Sequence, residues 1–215
     1  MPKVDAIITA GGKGTRLKEL CTEKPLVKIF GIPMIEYVLN AVSESRLIRE
    51  IFVSVSPFTP KTKEYVEKKG FKVIKTPGLG YVEDLKYSMN YLSSPHVFVC
   101  PADMPLLRGG SIDMVIKTYF KWGRSSLVVG VPFYVTESLG ITSTFKITVD
   151  GQIVVPRGVS VVNRNEMLNK DHLDEKYLIT ETLDFAVNVN TINDLKVARK
   201  ILSKRFQCLR ERRRS

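Results

Sequence analysis

Val4-Asp5-Ala6-Ile7-Ile8-Thr9-Ala10-Gly11-Gly12-Lys13-Gly14-Thr15-Arg16 decides the fold. An apolar run empties into a glycine-rich loop that carries cations. Residues 4–9 are short, apolar and followed by glycine, which predicts a buried strand covered on both faces. Gly11, Gly12 and Gly14 lack Cβ atoms, so their backbone N–H groups can approach a ligand closely. Lys13 and Arg16 put positive charge beside those donors, and Glu23-Lys24-Pro25-Leu26 adds another cation. Such a loop suits a polyphosphate. The same residues would also serve a tight strand-to-helix turn with surface cations.

Spacing tests two nucleotide motifs. A dinucleotide-binding fingerprint would place a further glycine three residues after Gly14, where Leu17 stands. A Walker A loop needs four residues between its first glycine and Gly-Lys-Ser/Thr, and no stretch supplies that. An NAD-dependent dehydrogenase is therefore the least supported enzyme. The loop is a phosphate site of another kind, or a turn.

Working outward, the chain has 215 residues, enough for one sizeable α/β domain, and its 44% hydrophobic content is that of a globular protein. No apolar run reaches the roughly 20 residues of a membrane span, and the N-terminus lacks a signal-peptide pattern, so a cytoplasmic protein is expected. Cys21, Cys100 and Cys208 are odd in number and widely spaced, which argues against a disulfide framework or a zinc site. Cys100 lies in an apolar run and reads as a small buried hydrophobe. The formal charge of +11 fits an anionic substrate or nucleic acid. Part of it crowds residues 200–214. Phe206 is the sole aromatic there, so a stacking surface is weakly supported and no stable nucleic-acid partner is expected.

Strand-like and helix-like segments alternate along the chain. The expected fold class is α/β: a Rossmann-like, mostly parallel sheet with helices on both faces and a small antiparallel β lobe. Residues 34–43 and 62–69 read as helices, and residues 51–55 and 71–74 as strands. A second glycine loop, Thr76-Pro77-Gly78-Leu79-Gly80-Tyr81, leads into a helix over about 82–92. Two such loops at the carboxyl edge of one sheet would lie where ligands bind in doubly wound folds.

His96-Val97-Phe98-Val99-Cys100 is the next strand, closed by Pro101-Ala102-Asp103-Met104-Pro105. Asp103 in that stiff turn is either a turn-capping residue or a Mg²⁺ ligand for a bound polyphosphate. Residues 111–121 read as a helix with Ser111 as its N-cap, and residues 126–131 as a strand. Asp150-Gly151 between alternating segments predicts a hairpin, and residues 159–162 a separate strand beyond the bend Pro156-Arg157-Gly158. Arg157 there either meets an anion or is a turn cation. Residues 178–182 are ambiguous. Residues 185–191 read as a strand, before a last helix. Asn190 either caps that helix or completes the coordination of a hard cation. His96 and His172 match no metal spacing, and no Ser/His/Asp or Cys/His set stands out. Positioning and charge neutralisation therefore suit any chemistry here better than a protein nucleophile.

Ala10-Gly11-Gly12-Lys13-Gly14-Thr15-Arg16 with Glu23-Lys24-Pro25-Leu26 resembles the signature of the nucleoside-triphosphate transferases. These include the sugar-phosphate nucleotidyltransferases and the molybdenum-cofactor guanylyltransferases. Asp103 and Asn190 resemble their metal-holding positions. Residues 56–65, 80–85, 155–162, 188–191 and 194–196 are more closely similar to the archaeal GTP:adenosylcobinamide-phosphate guanylyltransferases of cobalamin synthesis. The likeness covers most of residues 4–202. It leaves out part of 139–148 and a basic tail, so residues 1–204 are expected to form the domain and 205–215 the tail.

The resemblance implies roles residue by residue. GTP and adenosylcobinamide phosphate would be the substrates and Mg²⁺ the cofactor. Ala10, Gly11, Gly12, Gly14 and Thr15 would hold the triphosphate, with Lys13, Arg16 and Lys24 neutralising it. Thr76, Gly80, Tyr81 and Asp84 would lie along base and ribose. Asp103 and Asn190 would hold the metal, with Lys13, Arg16, Lys24 and Asp103 catalytic. Gly158 and its neighbour Arg157 would line the acceptor site. Guanine enters through the resemblance alone, and a homodimer stays open. The competing readings are a sugar phosphate or molybdopterin acceptor on the same fold, or a non-catalytic nucleotide- or RNA-binding protein.

Overall fold

The computed structural model describes residues 1–212 apart from Thr142 and Thr144, and leaves out the side chains of Arg16, Lys18, Glu19, Leu209, Arg210 and Arg212. β1 (Val4–Thr9) is the central strand. Two short strands, β2 (Lys28–Ile29) and β3 (Ile32–Pro33), form a hairpin before α1 (Met34–Glu44). Then come β4 (Ile48–Val55), α2 (Pro60–Lys68), β5 (Lys72–Lys75), α3 (Tyr81–Met89) and β6 (His96–Pro101). The second half holds α4 (Gly109–Trp122), β7 (Ser126–Pro132), α5 (Phe133–Ser138), β8 (Ile147–Val149) and β9 (Gln152–Asn163). It closes with α6 (Arg164–Asn169), β10 (Glu175–Ile179), α7 (Leu183–Ala186) and α8 (Ile192–Arg212).

The main sheet runs β10-β7-β9-β6-β1-β4-β5, with β8 paired to β9. β1, β4, β5 and β6 are parallel, and β9 runs antiparallel between β6 and β7. β1 is apolar at successive positions because both of its faces are covered. Ala6 and Ile8 join Phe98 and Cys100 in a core with α1, α4 and α8, whereas Ile7 joins Val97, Val99 and the α3 residues Leu85 and Met89. From β1 the chain steps to β4 on one side and later to β6 on the other, which opens a crevice beyond their carboxyl ends.

Three expectations are corrected. Residues 152–163 are one strand, not two: Gly158 has φ +69° and the β7–β9 register slips between Val128 and Gly130, so a bulge absorbs Arg157 and Gly158. Residues 185–191 are not a strand. Leu183–Ala186 is helical, and beyond it the Val189 amide donates to the Asp103 carbonyl at 2.9 Å. Their apolar alternation reflects burial of Phe185, Val187 and Val189 rather than sheet pairing. Ser111 is not the N-cap of α4. It lies inside the helix and its hydroxyl donates to Asp184.

The last helix, finally, runs on to Arg212. Arg205 donates to the Leu106 carbonyl and to Asp184, and Phe206 packs edge-on to Phe30 with centroids 6.0 Å apart, so the start of the expected tail is docked helix. Residues 213–215 lie outside the described residues. No described helix is long and apolar enough to cross a membrane.

Candidate active site

Loops from the carboxyl ends of β1, β4, β5 and β6 enclose a cavity of about 360 Å³. Ala10, Gly11, Gly12 and Lys13 line it from the first loop, and Thr76, Gly80, Tyr81 and Asp84 from the second. Lys24 and Asp103 complete the set of sequence-predicted residues there. Gly14 and Thr15 are not among the lining residues, and the Arg16 side chain lies outside the described residues.

The first loop is held against β4. The Ser56 hydroxyl donates to the Gly11 carbonyl at 2.6 Å, and a Cβ on Gly11 would lie 3.1 Å from the Ser56 Cβ. Lys13 Nζ stands 4.7 Å from the centre of the Phe58 ring, a cation–π contact that aims its ammonium at the cavity rim. Gly14 has φ +58°, and a Cβ there would sit 3.0 Å from the Lys24 Cβ. Glycine is needed there for that turn and for the close approach of Lys24.

Lys24 opens a single 3₁₀ turn, Lys24–Leu26, whose Pro25 is buried. Glu23 anchors this turn to α2: its carboxylate accepts from the Lys61 amide at 2.8 Å and the Thr62 amide at 2.6 Å. An acidic group at a helix N-terminus is favoured by the unpaired amides and the helix dipole. The Lys24 ammonium thereby reaches both Asp103 Oδ2 and Asn190 Oδ1, the latter at 2.7 Å. Asn188 donates to Asp103 Oδ1 at 3.2 Å. The two residues expected to hold a metal are therefore brought to one point from loops 87 positions apart, and a cation already bridges them. Asn188 Oδ1 is buried and accepts no hydrogen bond among the described residues.

The segment that bears these amides is fixed by the first turn of α8. Asp194 Oδ2 accepts from the Asn190 amide at 2.9 Å and the Thr191 amide at 2.8 Å, while Thr191 Oγ1 accepts from the Asp194 amide at 3.2 Å. This is a reciprocal capping arrangement. Hard oxygens from a carboxylate and an amide, with few protein ligands, fit Mg²⁺, which keeps waters and takes the rest of its shell from substrate phosphates. Among the described residues no group of three or more His, Cys, Asp or Glu is placed to hold a metal ion, at this site or any other.

The second loop is braced by Asp84, which accepts from the Gly78 amide at 2.9 Å and the Leu79 amide at 3.3 Å. Thr76 is buried with its hydroxyl on the Val55 carbonyl at 3.0 Å. Both residues therefore shape the cavity wall. Half of the Tyr81 surface is exposed, yet its hydroxyl end is enclosed, and burial with nearby Cys100 pushes it up to about 12. Tyr81 is therefore uncharged at neutral pH. Burial also raises the Cys100 thiol, which leaves it an inert core residue.

Tyr81 and Leu85 also line a second groove of about 450 Å³, where Pro156, Gly158, Lys86, Lys170 and His172 are found. Gly158 is thus placed beside the first cavity, across a shared wall. Arg157 is corrected. It is 5% exposed, and its guanidinium donates to the Phe185 carbonyl at 2.9 Å and the Ala186 carbonyl at 2.7 Å. The bulge in β9 turns it inward, and it lines neither of the two cavities. Burial lowers its pKa to about 10, against the pull of Asp103 and Asp194, and it remains charged at neutral pH.

Sequence reasoning missed Ser56, Phe58 and Asn188 as site residues, and gave Glu23 no role. Only the repeated asparagines at 188 and 190 carried a signal in the chain itself.

Comparison with known proteins agrees with this geometry. The family model described as MobA-like NTP transferase domain matches residues 6–134. The adenosylcobinamide-phosphate guanylyltransferase of Methanocaldococcus jannaschii is 34% identical over 211 residues, covering 94% of this chain and 98% of that one. A probable molybdenum cofactor guanylyltransferase of Thermococcus gammatolerans is 28% identical over 87% of this chain and 95% of its own. Among solved structures, the CMP:2-keto-3-deoxy-manno-octonic acid synthetase complexed with CTP superposes with a TM-score of 0.74 at 15% identity, over 94% of this chain and 99% of that one.

Proposed function

The chain belongs to the MobA-like NTP transferase family, and from that premise we propose that it transfers GMP from GTP to adenosylcobinamide phosphate. The reaction type rests on one observation: Lys24, Asp103 and Asn190 meet beside a cavity walled by a glycine-rich loop. The acceptor and the base rest on the relative from Methanocaldococcus jannaschii, which this chain matches over nearly its whole length.

In the proposed reaction an oxygen of the acceptor phosphate forms a bond to the α-phosphorus of GTP. The bond from that phosphorus to the bridging oxygen breaks, and pyrophosphate leaves with the electron pair. The amides of Gly11 and Gly12 face the triphosphate, and Lys13 and Lys24 neutralise the charge that gathers on the departing group. Tyr81, uncharged, walls the base side without repelling phosphate, and Asp84 keeps the second loop in shape. Asp103 and Asn190 would hold Mg²⁺, which supplies the charge neutralisation that two meeting anions require. Gly158 opens the neighbouring groove to the acceptor. Cations fixed before the reaction need not reorganise during it, so each contributes about 3–4 kcal/mol to the transition state. The expected setting is cytoplasmic.

Incubation with each nucleoside triphosphate, Mg²⁺ and either adenosylcobinamide phosphate or molybdopterin, with mass analysis of the products, tests the reading. The expected product is adenosylcobinamide-GDP, formed from GTP with one pyrophosphate released. GMP transfer to molybdopterin alone would replace the acceptor, in line with the relative from Thermococcus gammatolerans.

A further inference from the structure

Arg157 has a place in the site that its sequence position does not suggest. It lies in β9 next to the left-handed Gly158, and both of its carbonyl partners are in α7, the helix that delivers the chain to Asn188 and Asn190. A helix C-terminus presents unpaired carbonyls, and a buried guanidinium satisfies two at once through its fork. From Ala186 the chain has four residues to reach Asn190. Along them the Val189 amide bonds to the Asp103 carbonyl at 2.9 Å and Asn188 bonds to the Asp103 carboxylate at 3.2 Å. The carboxylates that face Arg157 electrostatically are Asp103 and Asp194, which flank this same segment.

We propose that Arg157 is a positioning residue for the cation site: it ties the end of α7 to β9 and so sets Asn188 and Asn190 against Asp103. The proposal rests on the reading of Asp103 and Asn190 as Mg²⁺ ligands. Arg157 touches neither substrate nor ion. Its charge, held inside the protein, is drawn toward both Asp103 and Asp194. Its rigid fork fixes a backbone that no sheet partner fixes.

The test measures Mn²⁺ binding in the presence of GTP, by the electron paramagnetic resonance of free Mn²⁺, for wild type and four variants. Arg157→Met should weaken Mn²⁺ binding about tenfold or more, the range for residues that orient metal ligands. GTP affinity without metal, carried by the glycine loop, should stay within about twofold. Arg157→Lys keeps the charge and one donor direction and should fall between, so the prediction stands even where the methionine variant folds poorly. Arg49→Met removes an ion pair at the opposite end of the sheet. It should lower the melting temperature with Mn²⁺ affinity unchanged. Asp103→Asn should lose Mn²⁺ binding.

Wild-type Mn²⁺ affinity in both Arg157 variants would overturn the proposal while leaving the ligand assignment intact. So would an equal weakening in Arg49→Met, which would reduce the effect to general destabilisation. Wild-type affinity in Asp103→Asn would remove the cation site itself, and the proposal with it.

Discussion

Asp5 and Asp103 sit at opposite ends of neighbouring strands, and each carries its negative charge beside a cation. Asp5, near the start of β1, is fully buried. Arg49 donates to it through Nε and Nη2, both at 2.9 Å, and the Ser94 amide donates at 3.0 Å. Asp103, just past β6, is 9% exposed and has the Lys24 ammonium on one oxygen and the Asn188 amide on the other. The difference lies in the partner. A guanidinium fork matches a carboxylate in one geometry, while an ammonium on a four-carbon stem is a point charge that can turn to another anion. The amino end is closed by a two-point fork, and the carboxyl end by a single ammonium shared with Asn190. Charge pairing alone does not distinguish a structural carboxylate from a working one.

Substitutions at each end should separate the two roles, beginning with the largest effect. Lys24→Ala should lower kcat/KM by about 10²–10³-fold, the loss of one preorganised cation, with the melting temperature little changed. A steady-state assay of pyrophosphate release checks this, and an unchanged rate would remove Lys24 from the chemistry. Asp5→Asn should do the reverse. Arg49 is 43% exposed and can rehydrate, so the loss is about 2 kcal/mol rather than that of a sealed pair. For a chain of this size that lowers the melting temperature by roughly 4–8 °C, with kcat per folded molecule retained.

Gly14→Ala lies between the two. A left-handed φ of +58° and a Cβ pressed on Lys24 should cost about 1–2 kcal/mol of stability and about tenfold in rate, measured by melting and by initial velocities on the same sample.

The smallest effect concerns two tyrosines whose hydroxyls are both pushed up to about 12, Tyr119 toward the amino end by burial and then Glu166, and Tyr81 at the cavity. A raised folded-state pKa gives stability that is intact below about 10 and lost as pH rises toward 12. Tyr119→Phe should flatten that alkaline loss in a pH series of melts. Tyr81→Phe should leave the pH dependence of the rate between about 7 and 10 unaltered, because the hydroxyl it removes is neutral throughout.

The sequence was most legible where local chemistry and fold agree. Residues 4–9 could only be a doubly covered strand, and the glycines after them could only be a turn or a ligand loop. The prolines flanking Asp103 showed that it is held in a stiff turn, and left open whether it caps that turn or binds a metal. Arg157 did not, because whether an arginine at a bend points out or in depends on a bulge set by two other strands. Asn188 and Asn190 were visible as a pair, but their alternating apolar neighbours imitate a strand. The burial is real and the pairing is absent. Phe58 and Ser56 became site residues only when β4 was laid beside β1, a contact that no local pattern encodes. Ser111 fits the composition of a cap, yet a buried Asp184 took its hydroxyl.

The bridge from Lys24 to Asn190 joins positions 166 residues apart. During synthesis at about 5–20 residues per second, the lysine therefore waits roughly ten to thirty seconds for its second partner to leave the ribosome. Over that interval the nascent chain carries Lys24 without the asparagine that it bonds. Termination before Asn190 would leave Lys24 and Asp103 without their third partner, so this contact is completed only as the chain approaches α8.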